Sequence, residues 1–329
     1  MFSKKDAAPA RPTREDVLWC YRTILKREPE SEAVIADKMA SPSVRDLVAA
    51  FLSCDEFASN VVDTQQRHPL NLPRARIDVD ISSAELEAAV GKVKAAWTAM
   101  GLAGAHHSVL TTDQFLPENL PSTINDFWQS GISEAADAVD IFRHHGVDVA
   151  RATCVEYGCG VGRVTSALAQ HFAQVVGYDI SSNHLAHARD RAEALGLTNV
   201  RTVEVAETFL QALEHCDAFY SRIVFQHNPP PIIRELIRLA LAALRPGGVA
   251  IFQVPTYQAG YSFDNARWLE EYDGQGMEMH SIPQPLVFEM IAAAGCTPLE
   301  VREDGATGNI RFVSHTFVVR KGQSNQTLT

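Results

Sequence analysis

Val155–Arg163, VEYGCGVGR, together with Asp179 at the close of the later run QVVGYDI, decides how this chain folds. An apolar lead-in carrying an acid, three glycines at alternate positions, and a second apolar run ending in an acid is the pattern of a parallel α/β sheet that holds a nucleoside ligand. Gly158, Gly160 and Gly162 lack Cβ atoms, so the backbone turns tightly and its N–H groups approach a ligand at the start of the next helix, which the pattern opens at Val161. At a strand end, the Asp179 carboxylate accepts hydrogen bonds from both hydroxyls of a ribose. The ligand expected from these residues is an adenosine derivative.

A dinucleotide loop has similar spacing but needs glycine or alanine at its sixth position, where this chain has Arg163. A nicotinamide-dependent oxidoreductase is therefore the weaker alternative. At these residues the chain resembles the class I S-adenosylmethionine-dependent methyltransferases, whose first motif is an acid followed by G-x-G-x-G, with Glu156 as the acid. The resemblance continues in YDIS with Asp179, in DAFYSRIVFQH, and in LRPGG at Leu244–Gly248 leading into VAIFQVP, and it covers residues 125–321.

The resemblance implies S-adenosylmethionine as cofactor, bound by Glu156, Gly158, Cys159, Gly160, Gly162, Asp179, Ile180 and Ser221, with Ala206 and Glu207 against the adenine. Glu156 has two readings: acceptor for the cofactor's ammonium, or a strand-end acid satisfied by a backbone donor. The fold class expected is α/β, a doubly wound and mostly parallel seven-stranded sheet with an antiparallel C-terminal hairpin, preceded by a small all-α domain. Strand-like runs are ATCVEY, QVVGYDI, NVRTVEVA, CDAFYSRIV and GGVAIFQVP, separated by helical patterns such as RVTSALAQHF and PIIRELIRLALAAL. The hairpin is CTPLEVREDGATGNIRFVSHTFVVRK, with its turn rich in Asp and Gly.

At 329 residues, 46 % hydrophobic, the chain buries a sizeable core and suggests two domains. A formal charge of −11 without a basic run argues against a nucleic-acid partner. Cysteines 20, 54, 154, 159, 216 and 296 show no metal-ligand spacing or disulfide framework, so no metal is expected and reduced thiols are the simpler reading. The first residues lack the apolar core of a secretory signal and no run is long enough to span a membrane, which points to the cytoplasm and to no membrane insertion.

Thr13 caps a helix with Val17, Leu18, Tyr21, Ile24 and Leu25 at helical steps, and a second helical pattern carries Val44, Leu47, Val48, Phe51 and Leu52. These lie either side of REPES. The segment resembles a helical domain of unknown function fused to bacterial glycosyltransferases and cell-surface carbohydrate enzymes, with Tyr21, Arg22, Leu25, Arg27, Pro29, Glu56 and Phe57 fitting its pattern. Lys26 and Cys54 depart from it, standing where glycine and serine are usual. The organisation expected is a helical N-terminal domain at 1–67, able to dock a protein partner, a linker at 68–82, a helix and lid segment at 83–125, the methyltransferase domain at 126–321 and a frayed tail at 322–329. The lid role is what the methyltransferase resemblance implies for this segment, which reads as a helix to Met100 followed by irregular chain.

The acceptor is expected past the fourth and fifth strands, near Arg222, Gln226 and His227. A neutral imidazole takes the proton lost when a hydroxyl is methylated, so His227 is the candidate general base, with capping of the next helix as its other reading. Between the fifth strand and the next helix lies TYQAGYSFDNARWLEEYDGQGMEMHSI, far longer than a usual connection. From it Tyr257, Tyr261 and His280 are acceptor candidates, while Phe263 and Trp268 read as pins for the loop. His106 and His107 are acceptor candidates from the lid. The function expected is methyl transfer to a small molecule, with O-methylation of a sugar or glycan precursor as its finer form; a non-catalytic scaffold is the other alternative.

Overall fold

The computed structural model describes residues 11–52, 54, 56–57, 75–205, 212–258, 260–309 and 311–323. The chain divides into two compact units, residues 1–74 and 75–329.

In the first unit, α1 (Arg14–Thr23) opens with a capping box: the Thr13 hydroxyl accepts from Asp16 N at 3.2 Å and the Asp16 carboxylate accepts from Thr13 N at 2.8 Å. Both bonds satisfy donors that a helix start leaves without partners. A helix that the sequence pattern does not show, α2 (Glu32–Met39), follows because Ser31 of REPES accepts from Val34 N and so turns Ile35 into the core. It joins α1 and α3 (Val44–Leu52) around Val17, Tyr21, Leu47 and Phe51, where Tyr21 meets Phe51 edge-on at 4.8 Å. Arg27 lies over the Tyr21 ring at 4.9 Å and pairs with Glu30 at 2.8 Å and with Glu56. Tyr21, Arg27 and Glu56 of the quoted N-terminal pattern therefore hold one another.

The second unit is built on a seven-stranded sheet in the order β3-β2-β1-β4-β5-β7-β6. Its strands are β1 (Thr153–Tyr157), β2 (Gln174–Asp179), β3 (Val200–Glu204), β4 (Cys216–Ser221), β5 (Leu244–Gln258), β6 (Cys296–Asp304) and β7 (Phe312–Lys321). Strands β1 to β5 pair in parallel, and β7 runs antiparallel to both β5 and β6.

The central strands are apolar on both faces, as a sheet covered on both sides requires. One face, with Val175, Ala218 and Ile251, packs on Ala135, Val139 and Phe142 of α5 (Leu120–His144). The other, with Val155, Phe219 and Phe252, packs on α4 (Ser83–Val109), α8 (Pro230–Ala243) and α9 (Gln284–Ala293) through Val90, Ile233, Leu236 and Val287. Each fully buried Val, Leu, Ile or Phe among them contributes about 1.5–3 kcal/mol of transfer free energy.

Three expectations are corrected. The lid segment is mostly regular: α4 continues to Val109, with Gly104 alone leaving helical geometry, and α5 begins at Leu120 with Pro121 in its first turn. Proline fits there because that N–H has no helical partner to lose. Next, RVTSALAQHF forms a regular α6 only over Thr165–Leu168. Finally, residues 75–82 are not free linker, since Asp78 N donates to Phe263 O at 3.0 Å, Phe263 N donates to Arg76 O at 2.9 Å, and Arg234 pairs with Asp80 at 2.6 Å.

Candidate active site

Strand β1 delivers Glu156 and then breaks into a turn in which Gly158 and Gly160 take φ of 77° and 53°. A Cβ at Gly158 would lie 2.3 Å from the Val224 side chain and one at Gly160 would lie 2.7 Å from Val109, so glycine is needed for space as well as for backbone conformation. Gly158 N and Cys159 N both donate to Tyr178 O, at 2.7 and 3.0 Å, tying the turn to β2. The Asp179 carboxylate accepts from Gly160 N at 2.8 Å and from Ser181 N at 2.9 Å. Burial lifts the pKa of Asp179 against the pull of nearby His184 and these N–H groups. Each carboxylate oxygen keeps lone-pair capacity for a ribose hydroxyl.

Around this turn lies a cavity of about 110 Å³. Val93 and Trp97 of α4, with Ile180 and Val224, give it apolar walls, and Glu134, Glu156, Arg163, Asp179, His184, Arg222 and His227 are among its ionisable groups. Glu156 is buried, its carboxylate accepts from Thr165 Oγ1 at 2.5 Å, and burial raises its pKa to about 8. The residues fit an adenosyl ligand with an amino-acid tail: a buried carboxylate for an ammonium, a ribose acid and an apolar slot for the base. The helix terminus anticipated at Val161 is not formed, since α6 starts only at Thr165, and the N–H groups of Gly158, Cys159 and Gly160 are given to Tyr178 O and Asp179.

Of the sequence-derived candidates, Glu156, Gly158, Cys159, Gly160, Asp179, Ile180, Arg222 and His227 line the cavity. Gly162 instead gives clearance to α7 (Ser182–Ala194), since a Cβ there would lie 3.2 Å from Ala188 Cα. Ser221 is directed elsewhere, its hydroxyl donating to Tyr157 O at 2.9 Å. Ala206 and Glu207 lie outside the described residues.

The loop and lid candidates are not brought to the cavity. Tyr261 OH meets His280 Nδ1 at 2.8 Å, His280 Nε2 meets Glu278 at 3.2 Å, and Trp268 Nε1 donates to Glu278 at 2.7 Å, so these side chains hold the loop together. Tyr257 sits half-buried in β5. His106 packs against Phe127 at 5.0 Å and Trp128 at 5.7 Å, and burial lowers its pKa to about 4. Neither it nor His107 lines the cavity.

His227 faces the cavity with both ring nitrogens engaged. Nδ1 donates to Glu278 O at 2.9 Å, a tautomer assigned because a carbonyl only accepts, and Nε2 then accepts from Gln226 Nε2 at 3.2 Å. Burial holds its pKa near about 4, so the ring is neutral at neutral pH. Gln226 thus stands behind His227, not in the cavity wall.

Three polar residues that the sequence did not single out for the site are central to it. Glu134 of α5 pairs with Arg163 at 2.6 Å and Arg222 at 2.9 Å and accepts from Tyr220 OH at 2.8 Å. His184, on α7, meets Ser108 of α4 at 2.8 Å across the cavity wall. Arg163 appeared in the sequence only as a departure from the dinucleotide loop. Away from the cavity, His144, His145 and Glu300 bring ligand atoms within 4.8 Å of one another, but Glu300 is already bridged by His145 and Arg302.

A family described as methyltransferase domain matches residues 154–248. A ubiquinone biosynthesis O-methyltransferase of Methylobacterium sp. (strain 4-46) is 32 % identical over 113 residues, covering 32 % of this chain and 45 % of that protein. A ribosomal RNA small subunit methyltransferase G of Deinococcus deserti is 39 % identical over 102 residues, covering 30 % and 41 %. The chain thus spans less than half the length of these curated relatives. Among solved structures, magnesium protoporphyrin IX methyltransferase from Synechocystis PCC 6803 with bound SAH aligns over 60 % of this chain and 87 % of its own, at 18 % identity and a TM-score of 0.44. The glycine turn and Asp179 fall within the same residues as the family match, and positions 154–248 are those of a methyltransferase domain by that match.

Proposed function

We propose that the protein transfers a methyl group from S-adenosylmethionine to a hydroxyl of a small-molecule acceptor, and that this acceptor is a sugar or a cell-surface glycan precursor. The observation that carries the methyl-transfer reading is the pairing of buried Glu156 with Asp179 around one glycine turn, which suits an ammonium at one end and a ribose at the other. The sugar reading is supported by the N-terminal unit, whose Tyr21, Arg27 and Glu56 form the interlocked cluster of a pattern seen beside carbohydrate enzymes. Six free cysteines and the lack, among the described residues, of a helix long and apolar enough to cross a membrane favour work in the cytoplasm.

The cofactor brings a methyl already activated on a sulfonium, so the chain's task is orientation, water exclusion and management of one proton. Trp97, Val93 and Val224 exclude water from the cavity. His227 is the base: Glu278 O fixes the proton on Nδ1, which leaves the Nε2 lone pair to take the acceptor's proton once the Gln226 amide yields it. Calorimetry with S-adenosylmethionine and its product S-adenosylhomocysteine (SAH) tests the first step, and transfer of labelled methyl to a carbohydrate panel tests the second. Absence of cofactor binding would overturn the enzyme in favour of a scaffold; binding with transfer only to non-carbohydrates would overturn the sugar reading alone.

A further inference from the structure

The cofactor cavity continues on the side of α5. Glu134, Arg163, Tyr220 and Arg222 line it and also line a second, larger groove of about 810 Å³. That groove runs between α5 and the carboxyl ends of β4 and β6, reaching Gln253 of β5 and Thr316 of β7. It lies at the end of the sheet where parallel strands bind ligands. We infer that this groove holds the body of the acceptor, and that it takes a hydroxyl-rich molecule of one or two sugar rings, neutral or bearing an amine, and rejects phosphate. The inference rests on the methyl-transfer reading and names the acceptor for it.

The lining chemistry sets the class. Asp137 and Asp140 come from α5 and Glu303 and Asp304 from the end of β6, where the neighbouring Arg302 is paired with Glu300. Carboxylates accept from adjacent hydroxyls or an ammonium and repel a phosphate dianion. At the junction, Arg222 gives only Nη1 to Glu134, at 2.9 Å, which leaves the rest of its donor fork for hydroxyl oxygens. Arg163, 6 % exposed, stands on the same wall with Nε lacking a partner among the described residues. Ile251 and Val318 add an apolar floor, the usual complement to a few polar groups in a small-molecule site. The aromatic loop offers no comparable surface, since its Tyr261, His280 and Trp268 are committed to one another and to Glu278. A molecule seated here has its reactive hydroxyl pointing past Arg222 into the space that His227 also lines.

Saturation-transfer NMR of the full chain with glucose, glucosamine and glucose phosphate, each titrated with and without SAH, tests this. Glucose and glucosamine bind, glucosamine more tightly, and glucose phosphate does not. Ser133, exposed on α5 and lining only the groove, is replaced in S133W to fill it: sugar affinity falls by about tenfold or more while SAH affinity stays within about twofold. Pairing Asp137→Asn with Asp140→Asn brings glucosamine down towards glucose, a ratio that a general loss of structure would leave unchanged. The inference is overturned if neither sugar binds, if glucose phosphate binds as well as glucosamine, or if S133W leaves sugar binding intact. Failure of SAH to bind the same sample sinks the methyl-transfer reading instead.

Discussion

Glu156 keeps its proton at neutral pH in the folded protein, because burial raises its pKa from the ordinary 4.5 to about 8. Between those two values the folded state binds more protons than the unfolded one, so Glu156 removes stability as pH rises from 4.5 to about 8. Glu156→Gln, neutral throughout, should raise the melting temperature more at pH about 8 than at pH about 6, which calorimetric scans would show. An ammonium beside Glu156 reverses the preference and expels the proton. SAH affinity should therefore rise between about pH 6 and 8 in the native protein and lose most of that dependence in Glu156→Gln, as titrations in buffers of different ionisation enthalpy would register. Asp179→Ala should weaken SAH binding by about tenfold or more through loss of a charge-assisted contact; unchanged affinity would remove the ribose assignment. Glu156 and Asp179 were legible in the sequence because motif spacing is local. Glu134 was not, because an acid on a helix surface looks like any solvated one until Arg163 and Arg222 arrive from elsewhere in the chain.

At the scale of elements, the site depends on how closely α5 and the β4 turn approach the glycine loop. A Cβ at Gly131 would fall 2.2 Å from Arg163 O, so α5 packs on the loop only with glycine there. Gly131→Ala should cost about 1–3 kcal/mol by overpacking, read as a lower denaturation midpoint, and should weaken SAH binding through displacement of Glu134. After β4 the chain passes through Ile223 at φ 58°, a strained conformation for a β-branched residue. Gln253 of β5 holds that turn: its Oε1 accepts from Ile223 N at 3.0 Å, and its Nε2 donates to Gln226 at 3.0 Å and to Ser314 at 2.7 Å. Gln253→Leu should destabilise the protein by about 1–3 kcal/mol, because two buried polar groups, on Gln226 and Ser314, and the half-buried Ile223 N–H lose their partner. It should also change the histidine side-chain nitrogen resonances of His227, whose Nε2 neighbour is Gln226. The strand runs and most helical patterns were legible because their periods are local; the short α6 and the regular α5 start were settled by packing.

For the whole molecule, every residue lining the cofactor cavity lies in the second compact unit. A chain of residues 75–329 should bind SAH with the affinity of the full protein, and saturation at about a hundredfold over Kd should stabilise both by about 2.7 kcal/mol. Calorimetry on both chains checks this, and lost affinity in the shorter one would show that the cavity depends on the first unit. By itself the sequence determined the sheet, the turn that breaks it and the acid that follows, because those features rest on backbone freedom at glycine and on strand periodicity over a few residues. Only the tertiary structure decided that residues 75–82 strap the second unit, that the aromatic loop is tied to itself, and that Glu134 joins two arginines where two cavities meet. Those contacts join residues far apart in the chain, and side-chain pairing across such separations leaves no trace in local composition.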